Sequence, residues 1–69
     1  MSHQIAEEKK RIGSKLYELQ ISYSGGVTYA SIIVWEKQSG ETSMTGKTYA
    51  EEEGRGAEQK IMSIWKRLS

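Results

Sequence analysis

The sequence predicts an α+β domain, a three-stranded antiparallel meander with a C-terminal helix packed on one face and a short N-terminal helix, in the order α-β-β-β-α. Three observations lead there. In residues 15–24, Tyr17, Leu19, Ile21 and Tyr23 alternate with Leu16, Glu18, Gln20 and Ser22, the period of a strand with one apolar face. Gly25-Gly26 comes next, a pair suited to the positive φ angles of a two-residue hairpin turn. Ala50, Gly54, Ala57, Ile61, Ile64, Trp65 and Leu68 recur at spacings of three and four, the period of a helix.

Taken in order, His3 to Lys15 reads as a weak helix in which Ile5 and Ile12 share a side, Glu7 pairs with Lys10 or Arg11, and Gly13 ends the helix. The strand KLYELQISYS follows, then the glycine turn, then VTYASIIVWEK, rich in the branched and aromatic residues that suit a pleated surface. A two-residue turn pairs Tyr23 with Thr28, Ile21 with Ala30, Leu19 with Ile32 and Tyr17 with Val34, placing all eight on one face. The opposite face then carries Leu16, Val27, Tyr29, Ile33 and Trp35, with Ser31, Thr45 and Lys47 among them.

Gln38-Ser39-Gly40 reads as a three-residue loop with Gly40 left-handed, which sets Met44 opposite Val34 and Gly46 opposite Ile32 in an edge strand over about 41–48. Thr48 to Glu51 fits a capping box and predicts a helix start there, with Glu51, Glu52 and Glu53 in its first turn. Gly54 and Gly56 each weaken a helix by about 1 kcal/mol relative to Ala, so a break between them, with the firm part beginning at Ala57, is the competing boundary.

At 69 residues the chain is read as a single domain, 1–69, and domains this short bury a modest share of their surface, which makes self-association a standing expectation. With no cysteine there is no disulfide, thiolate metal site or cysteine nucleophile, and a reducing cytoplasm is the expected setting. No run approaches the roughly 20 apolar residues of a membrane span. His3 is the only histidine and sits near a terminus, and Glu51 to Glu53 are consecutive and diverge on a helix, so neither an enzyme nor a metal or other cofactor is expected.

Net charge is +1, but it is unevenly spread: Arg55, Lys60, Lys66 and Arg67 outweigh Glu58 in residues 54–69, while five Glu outweigh Lys37 and Lys47 in residues 36–53. Two functional expectations follow. The leading one is a small nucleic-acid-binding module or regulator in which Lys9, Lys10, Arg11 and Lys15 join Arg55, Lys60, Lys66 and Arg67 along a phosphate backbone, with Tyr29 and Trp35 free to stack on bases. The alternative is a protein-protein interaction module, a homodimer or a small inhibitor, whose contact surface is the sheet face of Tyr29, Ile33 and Trp35.

Tyr17-Glu18-Leu19, Ser24-Gly25-Gly26, Ile32, Val34, Gly46, Ala57-Glu58-Gln59, Ile61, Met62 and Leu68 fall where a double-stranded RNA-binding domain has its matching positions. The chain resembles that family over about three quarters of its length, which implies duplex RNA as a partner. The family's paired lysines before its last helix are replaced here by Glu51-Glu52-Glu53-Gly54-Arg55, and its loop histidine by two glycines. Tyr29 to Trp35 with Ala57-Glu58 is also similar to the opening of ribonuclease H, with Glu58 the one carboxylate that coincides.

Overall fold

The computed structural model describes residues 2–40 and 42–68, and of Ser2 and His3 the backbone alone. It is an antiparallel sheet of four strands in sequential order, β1 (Ser2–Ile12), β2 (Lys15–Ser24), β3 (Val27–Lys37) and β4 (Met44–Glu53), followed by one helix, α1 (Ala57–Arg67). The α+β class and the C-terminal helix are as the sequence predicts. The strand count and the N-terminal helix are not.

The central hairpin has the expected register. Tyr23 pairs with Thr28, Ile21 with Ala30, Leu19 with Ile32 and Tyr17 with Val34. Gly25 and Gly26 have φ of 58° and 80°, the two successive positive values of a turn whose twist matches that of its strands.

The predicted N-terminal helix is instead β1, which pairs with β2 from Ser2 opposite Ser24 to Ile12 opposite Lys15. Gly13, at φ 62°, does not cap a helix but opens a two-residue turn with Ser14. The pairing puts Ala6, Glu8, Lys10 and Ile12 on the side of Leu19 and Ile21, and Glu7, Lys9 and Arg11 on the other. Glu7 consequently bonds Gln4 rather than Lys10 or Arg11, its Oε2 accepting from Gln4 Nε2 at 3.0 Å.

The third predicted strand, about 41–48, is also corrected. Glu41 lies outside the described residues, and the strand runs from Met44 to Glu53 through the segment expected to start the helix. Gly46 sits opposite Trp35 and Lys47 opposite Val34, so the connection after Lys37 is longer than three residues. A bulge between Ile32 and Ile33 leaves Tyr49 as the extra residue of β4. Its ring meets Tyr17 edge-on, centroids 5.5 Å apart at 89°. Thr45 and Lys47 therefore leave the Trp35 face, and Gly46 and Thr48 take their places.

The capping box at Thr48 is overridden because an eleven-residue β3 offers its free edge to this segment, and tertiary pairing outweighs local propensity. The competing boundary is the one observed: Gly54 (φ 87°) and Gly56 (φ 83°) turn the chain, the Gly54 N–H donates to Thr28 O at 2.8 Å, and α1 begins at Ala57.

Ala57, Ile61 and Trp65, one turn apart, form the buried stripe of α1 and pack on Leu19, Ile21, Ala30 and Ile32. All seven are 5% exposed or less. Burying a side chain of Leu or Ile size stabilises by about 1.5–3 kcal/mol, so this layer holds the helix to the sheet. A clamp from β1 reinforces it. Lys10 Nζ donates to the carbonyls of Trp65 (2.8 Å) and Leu68 (3.1 Å) at the negative end of the helix dipole, and lies 4.8 Å from the centroid of a Trp65 ring. Trp65 Nε1 donates to Glu8 Oε2 at 2.9 Å.

Candidate contact surface on the open sheet face

The strand register arranges the other face of the sheet in rows. Arg11, Leu16, Trp35 and Gly46 form one; Lys9, Glu18, Ile33 and Thr48 the next; Glu7, Gln20, Ser31 and Glu51 a third; Gln4, Ser22, Tyr29 and Glu53 a fourth. Val27 and Ser24 lie beyond the fourth row, and Lys37 with Met44 beyond the first. Among the described residues no element covers this face. Tyr29 is 41% exposed, while Leu16, Val27, Ile33 and Trp35 are half-buried by their neighbours alone.

The shape of the molecule registers that uncovered layer. Its accessible surface is 5030 Å², against about 4,400 Å² for a compact 7.8 kDa protein, and its radius of gyration is 13.1 Å, against about 11 Å for a globule of this length.

Trp35, in the first row, is the best-ordered side chain of the face. Its ring lies flat across Gly46, so that a Cβ there would meet three ring atoms at 2.8–2.9 Å. Its Nε1 donates to Glu18 Oε1 at 3.2 Å. The indole is therefore fixed in direction by a glycine below and a carboxylate beside it, with its outer surface in water. At the far end of the same strand, Gln20, Ser22, Tyr29, Ser31, Glu51 and Glu53 surround an open depression of about 420 Å³.

The eight basic residues expected to act together are divided. Lys9 and Arg11 lie on the open face beside the first two rows. Lys10 is consumed by the clamp on α1, and Lys15 faces Glu36 at 3.7 Å on the helix side of the sheet. Arg55 stands in the turn before α1, and Lys60, Lys66 and Arg67 are exposed on the helix. Tyr29, Ile33 and Trp35 do share one face, as expected.

Sequence reading misses Glu18, Gly46, Glu51 and Glu53 as members of this face. The last three hinge on the register of β4, and Glu18 could be found from its position diagonal to Trp35 across the hairpin. Among the described residues no group of three or more His, Cys, Asp or Glu side chains is placed to hold a metal ion. No described helix is long and apolar enough to cross a membrane. Compared with known proteins, the chain matches no family model, no curated protein and no solved structure.

Proposed function

We propose that this chain is a protein-protein interaction module and that its contact surface is the open sheet face centred on Ile33 and Trp35. The observation that carries the reading is an indole held in a fixed direction over Gly46, surrounded by Leu16 and Ile33, on a face that nothing in the described chain covers. Rigid aromatic anchors ringed by polar groups are what contact hot spots are made of, because little side-chain entropy is lost when a partner seals them. Lys9, Arg11 and Glu18 supply such a rim. Trp35→Ser is expected to cost a complex at least about 2 kcal/mol, a loss of thirtyfold or more in affinity by calorimetry or light scattering. Unchanged association by this variant would dispose of the reading.

Nucleic acid is the second reading. It draws on Lys9 and Arg11, which lie on β1 in the rows of Ile33 and Trp35 and offer two cations along one side of a stacking surface. Its basic set is divided between the two faces of the sheet, and Tyr29 stands among Glu51 and Glu53, which repel phosphate. Titration with single-stranded and duplex oligonucleotides at low and high salt separates the two: a phosphate-led complex weakens steeply with salt, and a contact led by Trp35 does not.

A further inference from the structure

The open face is two-ended. Its cations, Lys9 and Arg11, lie in the rows of Ile33 and Trp35, with Lys37 just beyond and with Glu18, which accepts from the Trp35 indole, the one carboxylate among them; Glu7, Glu51 and Glu53 lie in the rows of Ser31 and Tyr29. Large apolar groups occupy the basic end, and the depression beside Tyr29 occupies the acidic end. A surface of this kind is complementary to itself when turned end for end.

We infer that the occupant of the open face is a second copy of this chain, packed sheet on sheet about a two-fold axis that crosses the strands between the Ile33 and Ser31 rows. This rests on the reading that the face is a protein contact. Such an axis leaves each strand above its own counterpart and exchanges the ends. Trp35 then stands over the partner's Tyr29 and the depression next to it, Ile33 over the partner's Ser31, and Lys9 over the partner's Glu7. Each contact occurs twice, as a two-fold requires. No like charges are superposed. The other face-to-face arrangement, with the axis along the strands, lays Glu7 on the partner's Glu51 twice and brings the carboxylates of both copies to one end, which costs affinity and specificity.

The area is adequate. Four strands about 4.8 Å apart and about 33 Å long present about 600 Å² of projected surface, near the roughly 800 Å² per partner of a standard stable interface. Aligned sheet packing at about 10 Å separation leaves room for one interdigitated layer of side chains, with the indole, flat across Gly46, laid over the Glu53 side of the partner's depression. A chain with seven buried apolar residues, all on the other side, gains its second core layer this way.

Light scattering from micromolar to millimolar concentration, on wild type, Trp35→Ser, Glu7→Lys and the double variant Glu7→Lys/Lys9→Glu, tests this. Wild type is expected to be a dimer, both single variants at least tenfold weaker, and the double variant restored, since its exchanged charges face each other again. Circular dichroism checks folding, and should Trp35→Ser lose its native spectrum, Ser31→Arg replaces it, putting a cation opposite the partner's Ile33 without touching the core. A dimer broken by Trp35→Ser but unchanged or tightened by Glu7→Lys overturns the crossing axis and leaves the contact face standing. A wild type monomeric throughout overturns self-pairing; if Trp35→Ser then abolishes binding to a different protein, the broader reading survives. A dimer indifferent to every variant, or a monomer that binds oligonucleotide in a salt-dependent way, overturns both.

Discussion

The two tryptophans give two sides of one sheet to compare. Trp65 and Trp35 each donate the indole N–H to a glutamate on a neighbouring strand, Glu8 at 2.9 Å and Glu18 at 3.2 Å. Each lies among aliphatic side chains. Trp65 is 5% exposed, because α1 carries it down onto the sheet, whereas Trp35 has only the sheet beneath it. Both sides carry large apolar groups, the helix side more of them, and the single helix covers that side alone. One face has its apolar surface covered in folding, and among the described residues the other is left open, as the proposed contact requires.

That contrast orders the effects of substitution. The largest belong to the helix side: Ile61→Ala, at a fully buried site in the middle of the stripe, is expected to cost about 2–5 kcal/mol, read from the urea midpoint. A comparable loss from an open-face aliphatic such as Ile33→Ala in the dilute monomer would erase the distinction between the faces.

Gly46→Ala comes next and sharpens the comparison from the open side. The new methyl meets the Trp35 ring at 2.8 Å, so either the strand shifts, at about 1–3 kcal/mol, or the indole lifts off the sheet. A shift in tryptophan emission without loss of stability identifies the second outcome, and contact through this face should weaken in both.

Lys10→Met keeps most of the stem but removes the ammonium from the end of α1 and from the Trp65 ring. About 1–2 kcal/mol is expected, with faster amide exchange in the last turn of the helix. Trp35→Ser removes a half-buried ring and is expected to cost no more than Ile61→Ala by the same denaturation, whereas its effect on association is the largest of the set.

The hairpin from Lys15 to Lys37 was legible because two signals agree there, a glycine pair that fixes the turn and an alternation that fixes the face. The flanking strands lack that agreement. In β1 the positions facing α1 are Ala6, Glu8 and Lys10, so the inward side does not look apolar and the charged run suits a helix equally well. Gly13-Ser14 was the available signal, since such a pair also makes a two-residue turn. In β4, Thr48 to Glu53 has helix chemistry in a strand, and only the need to pair the edge of β3 decides it.

Of the contact surface, the side chains supplied by β2 and β3 could be placed from sequence, and those supplied by β1 and β4 could not. The charge separation on which the proposed self-pairing rests depends on Glu7, Lys9, Glu51 and Glu53, all on the misread edges. Lys10 is the clearest case of a basic residue whose role composition hides. Counted as a cation for a partner, it serves the helix of its own chain.

The central claim, that one indole is sealed by the fold and the other awaits a second molecule, is tested most directly by hydroxyl-radical footprinting of the two tryptophans across a dilution series. Trp65 is expected to be protected at every concentration. Trp35 is expected to be oxidised readily when dilute and protected as the chain associates. Protection of Trp35 equal to that of Trp65 in the dilute monomer would contradict the account.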